Sequence, residues 1–204
     1  MFSNYLASYK KDFQSVARGP QSGFGLIELM VSISIMTIVS SIILVGQNSF
    51  NSAVLLRNQT YDVALSAREI QLSALTSGDS AGDFRAVLGL HFDTNPLRND
   101  RYIIFKDNNN NFYYDAGEEF GIQDILDNRF EVRAIRLGTF APAEASVIFE
   151  RPNFDAHFYI GPNNKSSVEA IEIDIARRGT DPLANTDDVL RTLEITSTGQ
   201  ITVQ

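Results

Sequence analysis

The chain has 204 residues, 44% hydrophobic and 21% charged, enough to bury one good core or two small ones. It holds no cysteine, which excludes a disulfide scaffold, a thiol nucleophile and any Cys-ligated zinc or iron–sulfur site. Seventeen Lys and Arg against 25 Asp and Glu leave −8, the wrong sign for a general nucleic-acid binder.

That charge is unevenly laid out. Residues 1–23 carry Lys10, Lys11 and Arg18 against Asp12, for +2, and residues 24–46 carry Glu28 alone. The remaining 158 residues carry 14 basic and 23 acidic side chains, for −9. A basic start, an apolar stretch and an acidic remainder is the order of a membrane-inserted protein with its N-terminus inside. The stretch Phe24 to Val45, FGLIELMVSISIMTIVSSIILV, has 22 residues. As a helix it would span about 33 Å, enough for a bilayer core. Signal-peptide apolar regions run only about 7–15 residues and end at a small-residue cleavage site. Here the sequence continues as GQNSFNSAVLLRNQ, still helical in character, so the segment is expected to be retained.

Glu28 stands five residues into this stretch, where a membrane carboxylate costs about 2.5–3.5 kcal/mol and calls for a partner. Gly23 precedes Phe24, giving G-F-G-L-I-E-L-M over residues 23–30. On this motif the chain resembles the type IV pilin and type II secretion pseudopilin family. The resemblance is strongest over residues 18–76. It implies a leader, 1–23, removed by a prepilin peptidase between Gly23 and Phe24, with N-methylation of Phe24. Glu28 becomes the family's acid, used in assembly. Cleavage would free an α-amino group at Phe24, one turn before Glu28, and a paired carboxylate is tolerable in an apolar setting where a lone one is not. The pairing can lie within one subunit or between neighbours. The departures are Gly25, where Thr or Ser is more usual, a longer leader than many, and an apolar helix without Pro.

Beyond Val45 a stripe of Phe50, Val54, Tyr61, Leu65 and Leu72 recurs at steps of 4, 7, 4 and 7, an amphipathic helix period. With no Pro from 24 to 76, one helix of about 53 residues (roughly 80 Å) is expected, ending at Ser77-Gly78-Asp79-Ser80. Residues 24–46 would form the membrane or filament-core half. Residues 47–76 would form an amphipathic half whose stripe covers a sheet. Residues 77–204 read as an antiparallel head. Ala86, Leu88, Leu90 and Phe92 alternate, and Tyr102–Phe105, Phe130–Leu137, Val147–Phe149 and His157–Ile160 are short β-rich runs. Ile171, Ile173 and Ile175 alternate with Glu172 and Asp174, and the chain closes on two short strands around Thr198-Gly199. The fold class expected is α+β, a long N-terminal helix packed on an antiparallel β head. Within the family, this pattern is most similar to the H-type minor pseudopilins.

Neither histidine, His91 nor His157, lies beside a hydrolase motif in the sequence, and no nucleotide-binding or zinc-protease pattern occurs. His91 stands opposite the apolar face of its strand, as a solvated or hydrogen-bonded residue would. Arg129, Arg133, Arg136, Arg177 and Arg178 could line a DNA-binding face; balance by Glu131 and Glu172 is the plainer reading. The loop Asp107 to Glu118 matches a twelve-residue calcium loop. Asp107, Asn109 and Asn111 fall at positions 1, 3 and 5, the Tyr113 carbonyl at 7, Asp115 at 9 and Glu118 at 12. Phe112 occupies position 6, where the turn prefers Gly, and the flanks read as strand. An Asn-rich hairpin or Ω-loop without metal is the competing reading.

The function expected is a structural one: a prepilin-like subunit, cleaved after Gly23, that assembles through its helix into a pilus or pseudopilus. Implied partners are other subunits, the prepilin peptidase, the inner-membrane assembly platform and the membrane. The location would be a single-pass cytoplasmic membrane protein, head outside, then an extracytoplasmic filament. No cofactor is expected beyond calcium at the loop. The rivals are an uncleaved, signal-anchored extracytoplasmic binding domain and a DNA-binding competence pilin.

Overall fold

A computed structural model describes residues 23–76, 87–121, 124–149, 153–181, 183 and 189–204, with side chains at all of these except 45–50, 75, 76 and 124. The expected leader before Gly23, the helix stop at Ser77–Ser80 and Ala86 lie outside the described residues. Helix α1 spans Leu26–Thr76, 51 residues, and passes through Gly46 without interruption. The chain divides into two compact units, Met1–Val45 and Gly46–Gln204.

In the first unit every described side chain is exposed. Its helix carries Ser32, Ser34, Thr37 and Ser41, whose hydroxyls each donate to the carbonyl four residues back at 2.8 Å. That back-bonding satisfies four polar groups inside the helix itself, which a hydrocarbon environment demands.

The second unit holds ten strands: β1 (Val87–Asp93), β2 (Arg101–Asp107), β3 (Asp124–Ile125), β4 (Phe130–Leu137), β5 (Glu144–Phe149), β6 (Ala156–Tyr159), β7 (Lys165–Ser166), β8 (Ala170–Arg177), β9 (Leu190–Thr196) and β10 (Ile201–Val203). They form a six-stranded sheet in the order β3-β2-β1-β5-β6-β7 and a four-stranded sheet in the order β10-β9-β8-β4, every pair antiparallel. The α+β class with an antiparallel head is therefore correct. β3 and β7, two residues each, are too short to show any period.

One core joins the helix to both sheets. Leu56, Val63, Ala67, Ile70 and Ala74 meet Leu88, Leu90, Phe92, Val147 and Phe158 of the first sheet and Val132, Ile135, Ile171, Ile173 and Leu193 of the second. The helix thus covers the sheets, but not with the described members of the expected stripe; the Phe50 side chain lies outside the described residues. Val54, Tyr61, Leu65 and Leu72 are 40%, 43%, 65% and 56% exposed. At about 100° per residue these four stand on one side of the helix, and Leu56, Thr60, Val63, Ala67, Ile70 and Ala74 on the opposite side. The inward row is built of smaller residues, which let the helix backbone approach the sheet. Periodicity alone favours the larger ones.

β1 shows a second departure. All seven of its residues are buried, so its alternation marks two covered faces rather than one. Leu88, Leu90 and Phe92 point into the helix-covered core. On the other face a smaller cluster of Val87, Phe105, Tyr113, Ile148 and Tyr159 is roofed by Phe112 and Tyr114 of the loop after β2.

The helix and the chain's final hairpin are clamped together by Gln71, 2% exposed, whose amide donates to the carbonyls of Phe154 (2.8 Å) and Gly199 (3.0 Å). Gly199 has φ +80, and a Cβ there would meet the Phe154 carbonyl oxygen at 1.8 Å. Only glycine fits that crossing.

Candidate functional site

Two places carry the sequence-predicted residues: the start of the helix in the first unit, and the loop after β2 in the second. At the helix start, Gly23, Phe24 and Gly25 precede α1 in non-helical backbone. Among the described residues nothing lies within 4 Å of a Cβ built on Gly23, and Phe24 is 77% exposed. Among the described residues, the Gly23–Phe24 bond thus lies on exposed, non-helical chain. The Gly25 carbonyl accepts the first helical bond, from the Leu29 amide at 3.1 Å, so Gly25 is the N-cap. Ser and Thr lead at that position and glycine is accepted there, which gives the departure at Gly25 a physical reason. Glu28 is the acid of the first turn, where its negative charge faces the positive end of the helix dipole. Its side chain is exposed.

The apolar helix behind this segment, Leu26–Leu44, has the length and composition to cross a membrane, and none of it is buried within the chain. The prokaryotic N-terminal methylation motif matches residues 18–44. No curated protein and no solved structure matches the chain. The motif supports a type IV pilin-like protein. With the uncovered apolar helix, it also supports anchoring in a membrane.

The loop Asp107–Glu118 folds as a closed turn on the sheet. Its ends meet in antiparallel bonding, Lys106 N–H to the Glu118 carbonyl (2.9 Å) and Phe120 N–H to the Ile104 carbonyl (2.8 Å). Asp107 accepts from the amides of Asn110 (2.7 Å) and Phe112 (2.8 Å), and Glu118 from those of Asn108 (2.9 Å) and Asp115 (3.1 Å). Asn109 and Asn111 accept from the amides two residues on, and both donate their side-chain amides to Asp115. Asn110 and Phe112 take φ of 61 and 62. Phe112 thus adopts the left-handed turn that glycine would take, at a cost of about 1–2 kcal/mol. Its ring stacks on Tyr159 at 5.4 Å, which offsets part of that cost. No group of three or more Asp, Glu or His side chains converges on a metal-sized point among the described residues.

Above the same sheet face sits a constellation invisible in the sequence. His91 pairs directly with Ser146 across β1 and β5, and its Nδ1 lies 3.0 Å from the Ser146 Oγ. Its Nε2 lies 3.7 Å from Glu144, and its ring packs against Tyr113 and Tyr114 at 5.3 and 5.0 Å. Serine, histidine and glutamate in contact resemble a hydrolase set, but Ser146 is fully buried and its Oγ also accepts from the Tyr114 amide. The hydroxyl thus bridges His91 and the Tyr114 amide, and the arrangement ties the loop to the sheet. Burial, with Arg98 nearby, pushes His91 down to about 4, so it is neutral. The only sequence signal was Ser146 inside an apolar run; its partner is 55 residues away.

Four of the five arginines of the set, Arg129, Arg133, Arg136 and Arg178, face carboxylates, and Arg177 is exposed at the end of β8. Arg129 pairs with Asp127 (2.8 Å), Arg133 with Glu131 (3.6 Å), Arg136 with Glu172 (2.9 Å) and with buried Asp174, and Arg178 with Glu131 (3.8 Å). The balanced-charge reading accounts for these four.

Proposed function

We propose that the chain is a structural prepilin-like subunit, cleaved between Gly23 and Phe24 and assembled through its helix into a type IV pilus or type II secretion pseudopilus. The observation that carries the reading is the matched motif over residues 18–44, whose apolar helix, Leu26–Leu44, is wholly uncovered within the chain. Other subunits, the peptidase and the assembly platform are its partners, and its head lies outside the membrane before incorporation into the filament. Glu28 pairs with the freed Phe24 amine, which removes an isolated carboxylate from an apolar environment. The short-strand head favours the H-type minor pseudopilins within the family. The decisive experiment is the mass of the mature N-terminus from cells holding the peptidase. Loss of residues 1–23, with a methyl on Phe24, is the expected result. An intact Met1 would establish the uncleaved anchored domain instead.

We further propose that Asp107, Asn109, Asn111, the Tyr113 carbonyl, Asp115 and Glu118 hold calcium weakly, on the order of 10⁻⁴–10⁻³ M. Supporting this, Asn110 and Phe112 already take the left-handed turns that fold the loop back on itself. Binding would draw the Asp115 and Glu118 carboxylates together with Asp107 and stabilise the loop against the sheet.

A further inference from the structure

A cleft of about 690 Å³ opens between helix α1, at Asn51 and Leu55, and the chain entering β4 and leaving β8. Arg129, Arg177 and Arg178 line it, with no carboxylate among the described residues of its wall. We propose that this cleft holds the phosphate of an anionic phospholipid headgroup while the chain is anchored in a membrane, and the proposal rests on that anchoring.

The first support is where Arg177 stands. On β8, Ile171, Ile173 and Ile175 are fully buried in the core under the helix, and Arg177 is the next residue on that face. It pairs directly with Phe130, itself a core residue. An arginine thus takes the position where a further apolar residue would close the core, and its side chain makes no ion pair or hydrogen bond among the described residues. The second support is charge. Arg129 pairs with Asp127 (2.8 Å), and Arg133 and Arg178 share Glu131 at 3.6 and 3.8 Å. Asp100 is held below its ordinary range by Arg101 at 2.8 Å and, more weakly, by Arg178. Asp181 offers Arg133 its carbonyl and turns its carboxylate to the Leu183 amide. Among the described residues, five arginines therefore face three carboxylates, although residues 47–204 together carry −9. The third support is reach. Asn51 follows Leu44, the end of the apolar segment, by seven residues, so the helix wall of the cleft stays within about 25 Å of it. The headgroup layer borders the hydrocarbon there, and its phosphates are the dense anions within that reach. Guanidinium forks bond phosphate oxygens in pairs, and Asn51 and Asn128, both exposed, add amide donors. A nucleic acid would need a long basic stripe, and the acidic remainder of the head repels one.

The test titrates the full chain in non-ionic detergent micelles with dioctanoyl-phosphatidylglycerol by calorimetry. Dioctanoylglycerol, inorganic phosphate and a DNA duplex are the comparisons. Saturable binding of the phospholipid is expected, weakened about tenfold by Arg177→Gln, the effect of removing one charged hydrogen bond. That variant should melt at the wild-type temperature, because its side chain has no partner to lose among the described residues. Arg57→Gln, the same charge change on the helix outside the cleft, should bind as the wild type does. Dioctanoylglycerol binding as well as the phospholipid, or Arg177→Gln binding as well as the wild type, would overturn the proposal. Inorganic phosphate or the duplex binding as tightly as the phospholipid would overturn it too, in favour of free phosphate or nucleic acid. Anchoring is read separately, by co-flotation of the chain with neutral phosphatidylcholine vesicles. Failure to float would overturn the anchoring on which the proposal rests, whereas flotation without selective phospholipid binding would overturn the cleft alone.

Discussion

His91 makes the stability of the head depend on pH in a window that can be worked out from its surroundings. The ring is 3% exposed, held by Ser146, walled by Tyr113 and Tyr114, and faced by Glu144 and Arg98. Its folded-state value lies at about 4, against 6.5 when unfolded. Below 6.5 the unfolded chain takes up a proton that the folded chain refuses, so folding loses stability as pH falls. The contribution is complete above about pH 7 and gone below about pH 4. Between pH 7.5 and 5 the loss from this one group is about 2 kcal/mol by linkage. Urea titrations of the full chain in non-ionic detergent, followed by near-ultraviolet circular dichroism, would measure it. His91→Gln keeps a hydrogen-bonding group opposite Ser146 but cannot titrate. It should lower stability at pH 7.5 and flatten the dependence by about the same 2 kcal/mol. An equal pH dependence in wild type and variant would refute the reasoning, because acidic groups elsewhere would then account for all of it.

Three further substitutions or additions test the fold and the loop. Gly199→Ala forces a side chain into left-handed backbone and against the Phe154 carbonyl, and displaces both Gln71 bonds, so a loss of about 2–4 kcal/mol is expected in urea titrations. Gly89→Ala places a Cβ at 2.6–2.8 Å from Ile148, the Val147 carbonyl and Phe105, an overpacking that should cost about 1–3 kcal/mol and lower the melting temperature. Calcium at about 5–10 mM, well above the range of a weak extracellular site, should raise the melting temperature, and Asp107→Ala with Glu118→Ala should abolish the rise. An unchanged melting curve would end the calcium proposal.

How legible each element was depends on whether its determinants are local. β4, Phe130–Leu137, has the bounds expected of its β-rich run, β8 holds the expected alternation of Ile171, Ile173 and Ile175, and β9 and β10 flank Thr198-Gly199. The motif at Gly23, Phe24 and Glu28 is likewise contiguous, and the family comparison falls on it. The inward face of the helix was misread because two apolar rows share the same residues, and only the sheets decide between them. Leu65 is larger than Ala67, yet Leu65 is 65% exposed and Ala67 is buried. The ring cluster around His91 was hidden for another reason. It is assembled by the register of β1 on β5, a pairing between residues far apart in the chain, and no local period encodes a register.

The exposed row on the helix also separates the two leading readings of what the chain does. An anchored domain that is never cut accounts for the apolar segment Leu26–Leu44, since a bilayer would cover it. It leaves no use for Val54, Tyr61, Leu65 and Leu72, which stand on the side of the helix turned away from the sheets. Spacings of 7, 4 and 7 repeat the seam by which helices pack on one another, and Arg57 over the Tyr61 ring at 5.5 Å only partly shields it. Burying a large apolar side chain contributes about 1.5–3 kcal/mol, and half-exposed Leu65 and Leu72 still have much of that to gain. Leu65→Ser with Leu72→Ser should therefore cost head stability no more than about 1 kcal/mol, about 0.5 for each surface change, while removing contacts between subunits. In cells, cleavage at Gly23 should proceed and incorporation into sheared filaments should fall. Filament incorporation equal to wild type would show that the row is ordinary surface, and the assembly reading would then rest on the apolar segment and Glu28 alone.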